Sequence, residues 1–352
     1  MAKKVLIVDD SALVRKYLGE LFDEAGFDIG FAKNGQEAVE FVQEVDFDVI
    51  TMDINMPVMD GLTAVREIMR INPTPIIMIS SLTQDEADIT FEALDAGAVD
   101  YIAKPGTMSL DLKKSKNDIL NKVKAALKIP KNRLYIRKQA VQKKKSLINK
   151  DKKVSSPSKN VEKLVLIGAS TGGPGLIEEI LSSLPADYPY PVCVVQHMPE
   201  TFTAKFANRL NKISAIEVVE AKQNDPIVPG KAIIGKGGRH FHISKKASGL
   251  LVVRLVPNTN NRFFVPSVDE LFFSAARVFD PKNIMAVELT GIGDDGADGM
   301  VELRKKGAYT IAESEETAIV YGMPKEAYER GGAVKKLPFN EIVKEILAYG
   351  GF

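Results

Sequence analysis

The chain has 352 residues, 45% of them hydrophobic and 26% charged, and a formal net charge of +1. That length exceeds one ordinary core and fits two domains, and the composition excludes a disordered or fibrous chain. The near-zero net charge gives no global attraction to nucleic acid or acidic partners, and the single cysteine, Cys193, excludes an intramolecular disulfide.

Cys193 lies in the apolar run Pro191–Val195, which reads as a buried strand in a reducing compartment. The apolar run Val5–Val8 at the N-terminus is too short for a secretory signal, and no later stretch approaches a membrane span. A soluble, cytoplasmic protein is expected.

The first 127 residues alternate apolar runs with amphipathic stretches. Strands are expected at Val5–Val8, Asp28–Phe31, Val49–Met52, Ile76–Ile79 and Val99–Ile102. Helices are expected between them, as at Ala12–Ala25 and Gly35–Val45, and at Asp111–Leu127 after the last strand. Strand–helix units of this length predict a parallel sheet covered on both faces.

Residues 128–162 read as a flexible basic linker. The stretch Lys131–Lys163 holds twelve Lys or Arg and two acids, Asp151 and Glu162, with too few apolar residues to bury a core. Such a charge run is first a solvated tether; a sharper reading is a docking segment for an acidic partner or membrane surface.

Residues 163–352 form a second α/β pattern. Strands are expected at Leu164–Gly168, Val192–Gln196, Ile284–Leu289 and Tyr309–Ala312, and helices at Gly175–Leu184, Thr201–Leu210, Asp298–Lys306 and Phe339–Tyr349. Short β-like pieces at Ala232–Ile234, Phe241–Ile243 and Leu250–Val256 suggest a β-hairpin insertion.

Two groups of residues carry chemistry. Asp9 and Asp10 end the first strand, Asp53 ends the third, and Lys104 follows the fifth. The carboxyl ends of parallel strands share one sheet edge, where ligands bind. Three carboxylates gathered there call for a hard divalent cation such as Mg²⁺, which can hold a phosphoryl group beside a carboxylate. Lys104 adds a fixed positive charge for phosphoryl oxygens.

The second group begins at Gly168-Ala169-Ser170-Thr171-Gly172-Gly173, between a strand and a helix. It fits the sharp turn that exposes a serine nucleophile, and also a phosphate-cradling loop. His197, at the end of the next strand, is within reach as a base. Asp294 or Asp295, in the loop Thr290–Gly296, supplies an orienting acid or caps the following helix. His240 and His242 alternate on a β-like stretch, and a metal pair there lacks a clustered third ligand.

Residues 3–127 resemble the response-regulator receiver family, on Asp9-Asp10, Asp53-Ile54-Asn55-Met56-Pro57, Asp60-Gly61 and Lys104-Pro105. The resemblance implies a flavodoxin-like fold with a five-stranded parallel sheet. It implies Asp53 as phospho-acceptor, Asp9, Asp10, Asp53 and the Asn55 carbonyl as Mg²⁺ ligands, and Ser80, Tyr101 and Lys104 as switch residues.

Residues 162–349 resemble the catalytic domain of the chemotaxis protein-glutamate methylesterases. The match rests on the Ser170 turn, Gln196-His197-Met198-Pro199, Pro266-Ser267-Val268-Asp269 and Gly322-Met323-Pro324-Lys325. It implies a doubly wound, mainly parallel sheet without a cofactor, with Ser170 as nucleophile, His197 as base, Asp295 as third member, and Thr171 and Ile292 at the oxyanion hole. This sequence departs from the family at Ile292, where Met is usual, at Val265, where Arg is usual, and at Gly235-Lys236-Gly237-Gly238.

Together the resemblances imply a phosphorylation-activated esterase and glutamine deamidase. Methyl-accepting chemotaxis receptors would be its substrates, a chemotaxis histidine kinase its phosphodonor, and the membrane receptor array its place of recruitment. The unphosphorylated receiver would cover the catalytic cleft. Two rivals are a receiver with a DNA-binding output, for which no helix-turn-helix pattern exists, and a scaffold that only competes for phosphoryl groups.

Overall fold

The structure, a computed structural model, describes residues 2–81, 83–104, 112–130, 134 and 161–352. Pro105 and almost all of the expected linker lie outside the described residues. The chain divides into two compact units, one N-terminal and one C-terminal.

The N-terminal unit is built from β1 (Lys4–Val8), α1 (Ala12–Glu24), β2 (Asp28–Ala32), α2 (Gly35–Glu44), β3 (Val49–Asp53), α3 (Gly61–Ile71), β4 (Ile76–Ser80), α4 (Gln84–Ala96), β5 (Asp100–Ala103) and α5 (Leu112–Ala126). The strands form one sheet in the order β2-β1-β3-β4-β5, and every pairing is parallel. Strands β3 and β4 are buried along their whole length, as expected of continuous apolar runs covered on both faces. Local signals set the helix starts. Asn34 accepts from the Glu37 amide at 2.9 Å, Asp60 from Thr63 at 2.8 Å and Thr83 from Glu86 at 3.3 Å, each satisfying a donor the helix leaves unpaired.

The C-terminal unit contains β6 (Leu164–Ala169), α6 (Gly173–Ser183), β7 (Val192–Gln196), α7 (Glu200–Ile213), β8 (Glu217–Glu220), β9 (Lys231–Ile234), β10 (His240–Lys245) and β11 (Leu251–Val256). Then come α8 (Val268–Val278), β12 (Ile284–Glu288), α9 (Ala297–Lys305), β13 (Tyr309–Glu313), α10 (Met323–Glu329), β14 (Lys335–Leu337) and α11 (Phe339–Tyr349). Its seven-stranded sheet runs β14-β13-β12-β6-β7-β9-β8, parallel throughout.

The expected hairpin is the antiparallel pair β10–β11. Of the β-like pieces, Ala232–Ile234 belongs instead to the main sheet, beside β7. The hairpin is fused to the core: Phe241, Ile243, Leu251 and Val253 are buried in one cluster with Val268, Leu271 and Phe272 of α8 and with Leu164 and Leu166 of β6. Strand β6 lies between β7 and β12, so the chain order reverses around it. In an open parallel sheet that reversal opens a crevice beyond the strand ends.

Candidate active site and phospho-acceptor pocket

Ser170 follows β6, His197 follows β7, and the loop after β12 carries Asp295. All of them therefore stand at the carboxyl edge of adjoining strands. The His197 amide donates to the Ala169 carbonyl at 3.1 Å and the Ser170 amide to the Thr290 carbonyl at 2.9 Å, so neighbouring strand ends are stitched together around the serine.

The turn after Ser170 needs its glycines. Gly172 has φ +80°, in the region L side chains avoid, and serves as the cap of α6. A β-carbon on Gly291 would lie 2.8 Å from Ser170 Cβ, so the opposing loop passes the serine at backbone distance. Gly291 is fastened from the far side: its amide donates to Val320 at 3.0 Å, and its carbonyl accepts from Gly322 at 3.1 Å and Met323 at 2.9 Å. This explains the Gly322–Lys325 motif structurally: it holds the loop that faces the serine. Gln196 Nε2 donates to the Ser170 carbonyl at 2.8 Å, pinning the turn from β7.

His197 Nε2 is 2.7 Å from Asp295 Oδ2, and both side chains are more than nine-tenths buried. The other ring nitrogen, Nδ1, is buried without a hydrogen-bond partner among the described residues. Nδ1 is thus the nitrogen left for a serine proton, and no hydrogen bond joins it to Ser170 Oγ among the described residues; such contacts often close only with substrate bound. Phe264 stacks flat on the imidazole, with ring centres 3.9 Å apart and planes 9° apart.

Of the two candidate acids, Asp295 meets the histidine. Asp294 points away to Arg330 at 2.6 Å on the surface. Asp295 Oδ1 accepts from Ser267 Oγ at 2.7 Å and the Asp269 amide at 3.2 Å, and Oδ2 accepts from the Val268 amide at 2.7 Å as well as from His197. The carboxylate therefore sits on the N-terminus of α8, where free amides favour negative charge. Burial alone would raise its pKa, but the bonds from His197, Ser267 and Val268 outweigh burial and hold it below the ordinary carboxylate value.

The Ile292 amide meets no acceptor among the described residues, as an oxyanion donor requires. Thr171 is buried, and its carbonyl accepts from Thr290 Oγ1 at 2.8 Å. Val265 makes no ion pair; the guanidinium that reaches Asp269 at 3.3 Å and Glu270 at 3.4 Å comes from Arg262. Lys236 pairs with Glu200 at 3.2 Å. His240 and His242 have separate hydrogen-bond partners. His240 contacts Asn258 and the Ser267 amide, and His242 contacts Glu270 at 2.8 Å.

Behind the site, Glu288 is fully buried, and neither carboxyl oxygen is hydrogen-bonded among the described residues. A β-carbon on Gly168 would lie 3.0 Å from both oxygens. Burial, reinforced by Asp295 and Asp269, pushes its pKa well above the ordinary carboxylate value.

In the N-terminal unit, carboxylate oxygens of Asp9, Asp10 and Asp53 lie within 4.8 Å of one another. Lys104 Nζ is 2.9 Å from Asp53 Oδ2 and 3.4 Å from Asp9 Oδ2. Burial, with Asp9 beside it, raises the Asp53 carboxyl to about 6 against the pull of Lys104. Asp9 Oδ2 is buried, with the Lys104 ammonium beside it. Crowded carboxylate oxygens of this kind fit a hard divalent cation. Tyr101 is buried, and its carbonyl accepts from Lys122 at 2.7 Å. Ser80 Oγ and the Ser81 amide donate to Glu86 Oε2 at 2.9 and 2.6 Å, and Asn55 Nδ2 donates to Glu86 Oε1 at 2.9 Å.

Sequence reasoning placed Ser170, His197, Asp295 and the acidic pocket, but not Phe264, Glu86 or the roles of His240 and Ser267. One signal was available: Ser267 followed by Glu270 is the spacing of a helix start.

Residues 165–346 match the family model described as CheB methylesterase, and residues 5–114 the response regulator receiver domain. A protein-glutamate methylesterase/protein-glutamine glutaminase of Carboxydothermus hydrogenoformans is 50% identical over 98% of both chains. Its counterpart in Caldanaerobacter subterraneus is 46% identical over 96% of this chain and 94% of the other. The crystal structure of the Thermotoga maritima CheB methylesterase catalytic domain matches with a TM-score of 0.51 at 35% identity, covering 54% of this chain and 99% of that one. The chain belongs to the CheB methylesterase family and carries a response regulator receiver domain ahead of its catalytic domain.

Proposed function

We propose that the chain hydrolyses glutamyl methyl esters on chemotaxis receptors, and deamidates receptor glutamines, under control of phosphorylation at Asp53. The observation that carries the catalytic part is the buried His197–Asp295 pair at the strand end beside Ser170.

Ser170 Oγ attacks the ester carbonyl, and its proton passes to His197 Nδ1. The Ile292 amide and the turn at Thr171 receive the oxyanion. Collapse of the tetrahedral adduct breaks the C–O bond, and the proton held by His197 leaves with methanol. Water then attacks the acyl-enzyme, giving one proton to His197, which returns it to Ser170. With a glutamine amide the same steps release ammonia. Asp295 fixes the proton on Nε2 of the resting imidazole and stabilises the imidazolium.

In the receiver, Asp9, Asp10, Asp53 and the Asn55 carbonyl would hold Mg²⁺, which when bound neutralises the carboxylates and a phosphoryl group. Asp53 accepts the phosphoryl group from a chemotaxis histidine kinase, Lys104 pairs with it, and Ser80 and Tyr101 respond. The unphosphorylated receiver restrains the catalytic domain. No described helix is long and apolar enough to cross a membrane.

Methanol release from methylated chemoreceptor membranes tests both parts. Wild type should release methanol, faster with Mg²⁺ and a small phosphodonor, and Ser170→Ala should not. Folded, phosphorylated protein that releases none would sink the esterase reading and favour a scaffold.

A further inference from the structure

The β10–β11 hairpin brings a second histidine to within two residues' contact of the proposed triad acid. His240 is buried, and its Nδ1 accepts from the Ser267 amide at 3.2 Å. An amide nitrogen only donates, so Nδ1 carries no proton and the imidazole proton is on Nε2. Nε2 then donates to Asn258 Oδ1 at 3.1 Å. The orientation of Asn258 is fixed in turn, because its Oδ1 accepts from the Arg262 amide and its Nδ2 donates to the Arg262 carbonyl, both at 2.9 Å.

Ser267 is where this chain meets the site. Its hydroxyl donates to Asp295 Oδ1 at 2.7 Å and accepts from the Glu270 amide at 3.4 Å, capping α8. The next amide along, Val268, donates to Asp295 Oδ2 at 2.7 Å. His240 touches neither Ser170 nor His197 in any hydrogen bond of the described residues. It acts on the backbone that carries the Asp295 clamp.

We infer that His240 is a positioning residue for the esterase reaction: held in one tautomer by Asn258, it fixes Ser267, and through Ser267 the orientation of Asp295 and of the His197 ring. The hairpin, the 258–262 loop and the first turn of α8 thus form one support for the triad acid. Arg262 on Asp269 and His242 on Glu270 brace the same turn. This inference rests on the triad reading above.

The test uses the full-length protein and four variants. His240→Phe keeps the ring volume and removes the Nδ1 acceptor. His240→Asn returns an acceptor close to the Nδ1 position. Methanol release gives kcat and KM, and proton NMR follows the His197 Nε2 proton held by Asp295, assigned by its loss in His197→Gln. His240→Phe should lower kcat by about 10²-fold through misplacement of the base, leave KM unchanged and move the His197 proton signal. His240→Asn should restore much of both.

Folded His240→Phe with wild-type kcat and an unmoved signal overturns the inference. So does equal loss of kcat in both variants with the signal unmoved, which would mark a purely structural role. Should His240→Phe not fold, Asn258→Ala releases the tautomer from the loop side; lower kcat with a shifted signal supports the relay, and no change in either refutes it. The NMR readout needs no turnover, so a wild type inactive on receptor membranes would count against the proposed substrate and leave the relay to be judged on the proton signal.

Discussion

Ser80 and Glu86 are joined by a 2.9 Å hydrogen bond across the end of β4, and the same carboxylate holds the Ser81 amide and the Asn55 side chain. The hydroxyl expected to meet a phosphoryl group on Asp53 is thus already committed to an acid on the first turn of α4. Phosphorylation must exchange that bond.

Removing the competitor should therefore favour the phosphorylated form. A hydrogen bond to a charged group contributes about 1.5 kcal/mol or more, and part of it is regained from water. Glu86→Ala should raise the steady-state level of Asp53 phosphorylation by a small phosphodonor about fivefold, equivalent to about 1 kcal/mol. Intact-protein mass spectrometry reads it, and an unchanged level would show that the bond does not oppose phosphorylation.

The two adjacent aspartates should separate cleanly. Asp294 is exposed and paired with Arg330, an arrangement that contributes little. Asp294→Asn should keep methanol release near wild type. Asp295→Asn should lower kcat by about 10⁴-fold, as for loss of an orienting acid elsewhere. Equal activity of the two variants would remove Asp295 from the triad.

Asp295 also links stability to acid. Its pKa is depressed in the fold, so its contribution is present above the unfolded-state value, about 3.9, and is lost as pH falls through the lower folded value. Thermal melts below pH of about 4 should show wild type losing stability more steeply than Asp295→Asn.

Glu288 carries the opposite sign. Its folded pKa lies far above the ordinary value, so the fold keeps a proton that the unfolded chain releases above pH of about 4.3. Wild-type stability should fall as pH rises from there. Glu288→Gln needs no proton, so its melting temperature should exceed that of wild type by a margin that widens from pH 5 to pH 8. A margin independent of pH would mean that Glu288 is charged in the fold.

Phe264 covers one face of His197. Aromatic pairs of this kind contribute about 0.5–1.5 kcal/mol beyond area burial. Phe264→Leu should lower kcat/KM by up to about tenfold in methanol release, and wild-type kinetics in that variant would make the stack incidental.

The legible parts of the fold were those where local pattern and tertiary setting agree. The buried strands of both parallel sheets are continuous apolar runs between turns, and their ends fall within one or two residues of expectation. Strand β8 (Glu217–Glu220) and strand β14 (Lys335–Leu337) were missed because their charged residues and short length carry no pattern. Helix α8 was missed although Ser267 and Glu270 mark its start and Val268–Val278 carries an apolar face; its first turn also buries two acids, Asp269 and Glu270. Ser170 and His197 were legible because each follows directly on a strand in a recognisable motif, whereas Asp295 lies farther on, in the loop after β12, and was set apart from Asp294 only by the family resemblance. The contacts of His240 and Phe264 were not, since they join segments far apart in sequence and depend on where the hairpin and its loop come to rest.

Gly291 leaves one further consequence. Its backbone lies against Ser170 Cβ and is bonded to Val320, Gly322 and Met323, while Ile319 packs against Gly172 on the other flank of the serine turn. The segment 319–323 therefore reaches both flanks of the Ser170 turn, so a shift of that segment would be felt at the serine through these contacts alone.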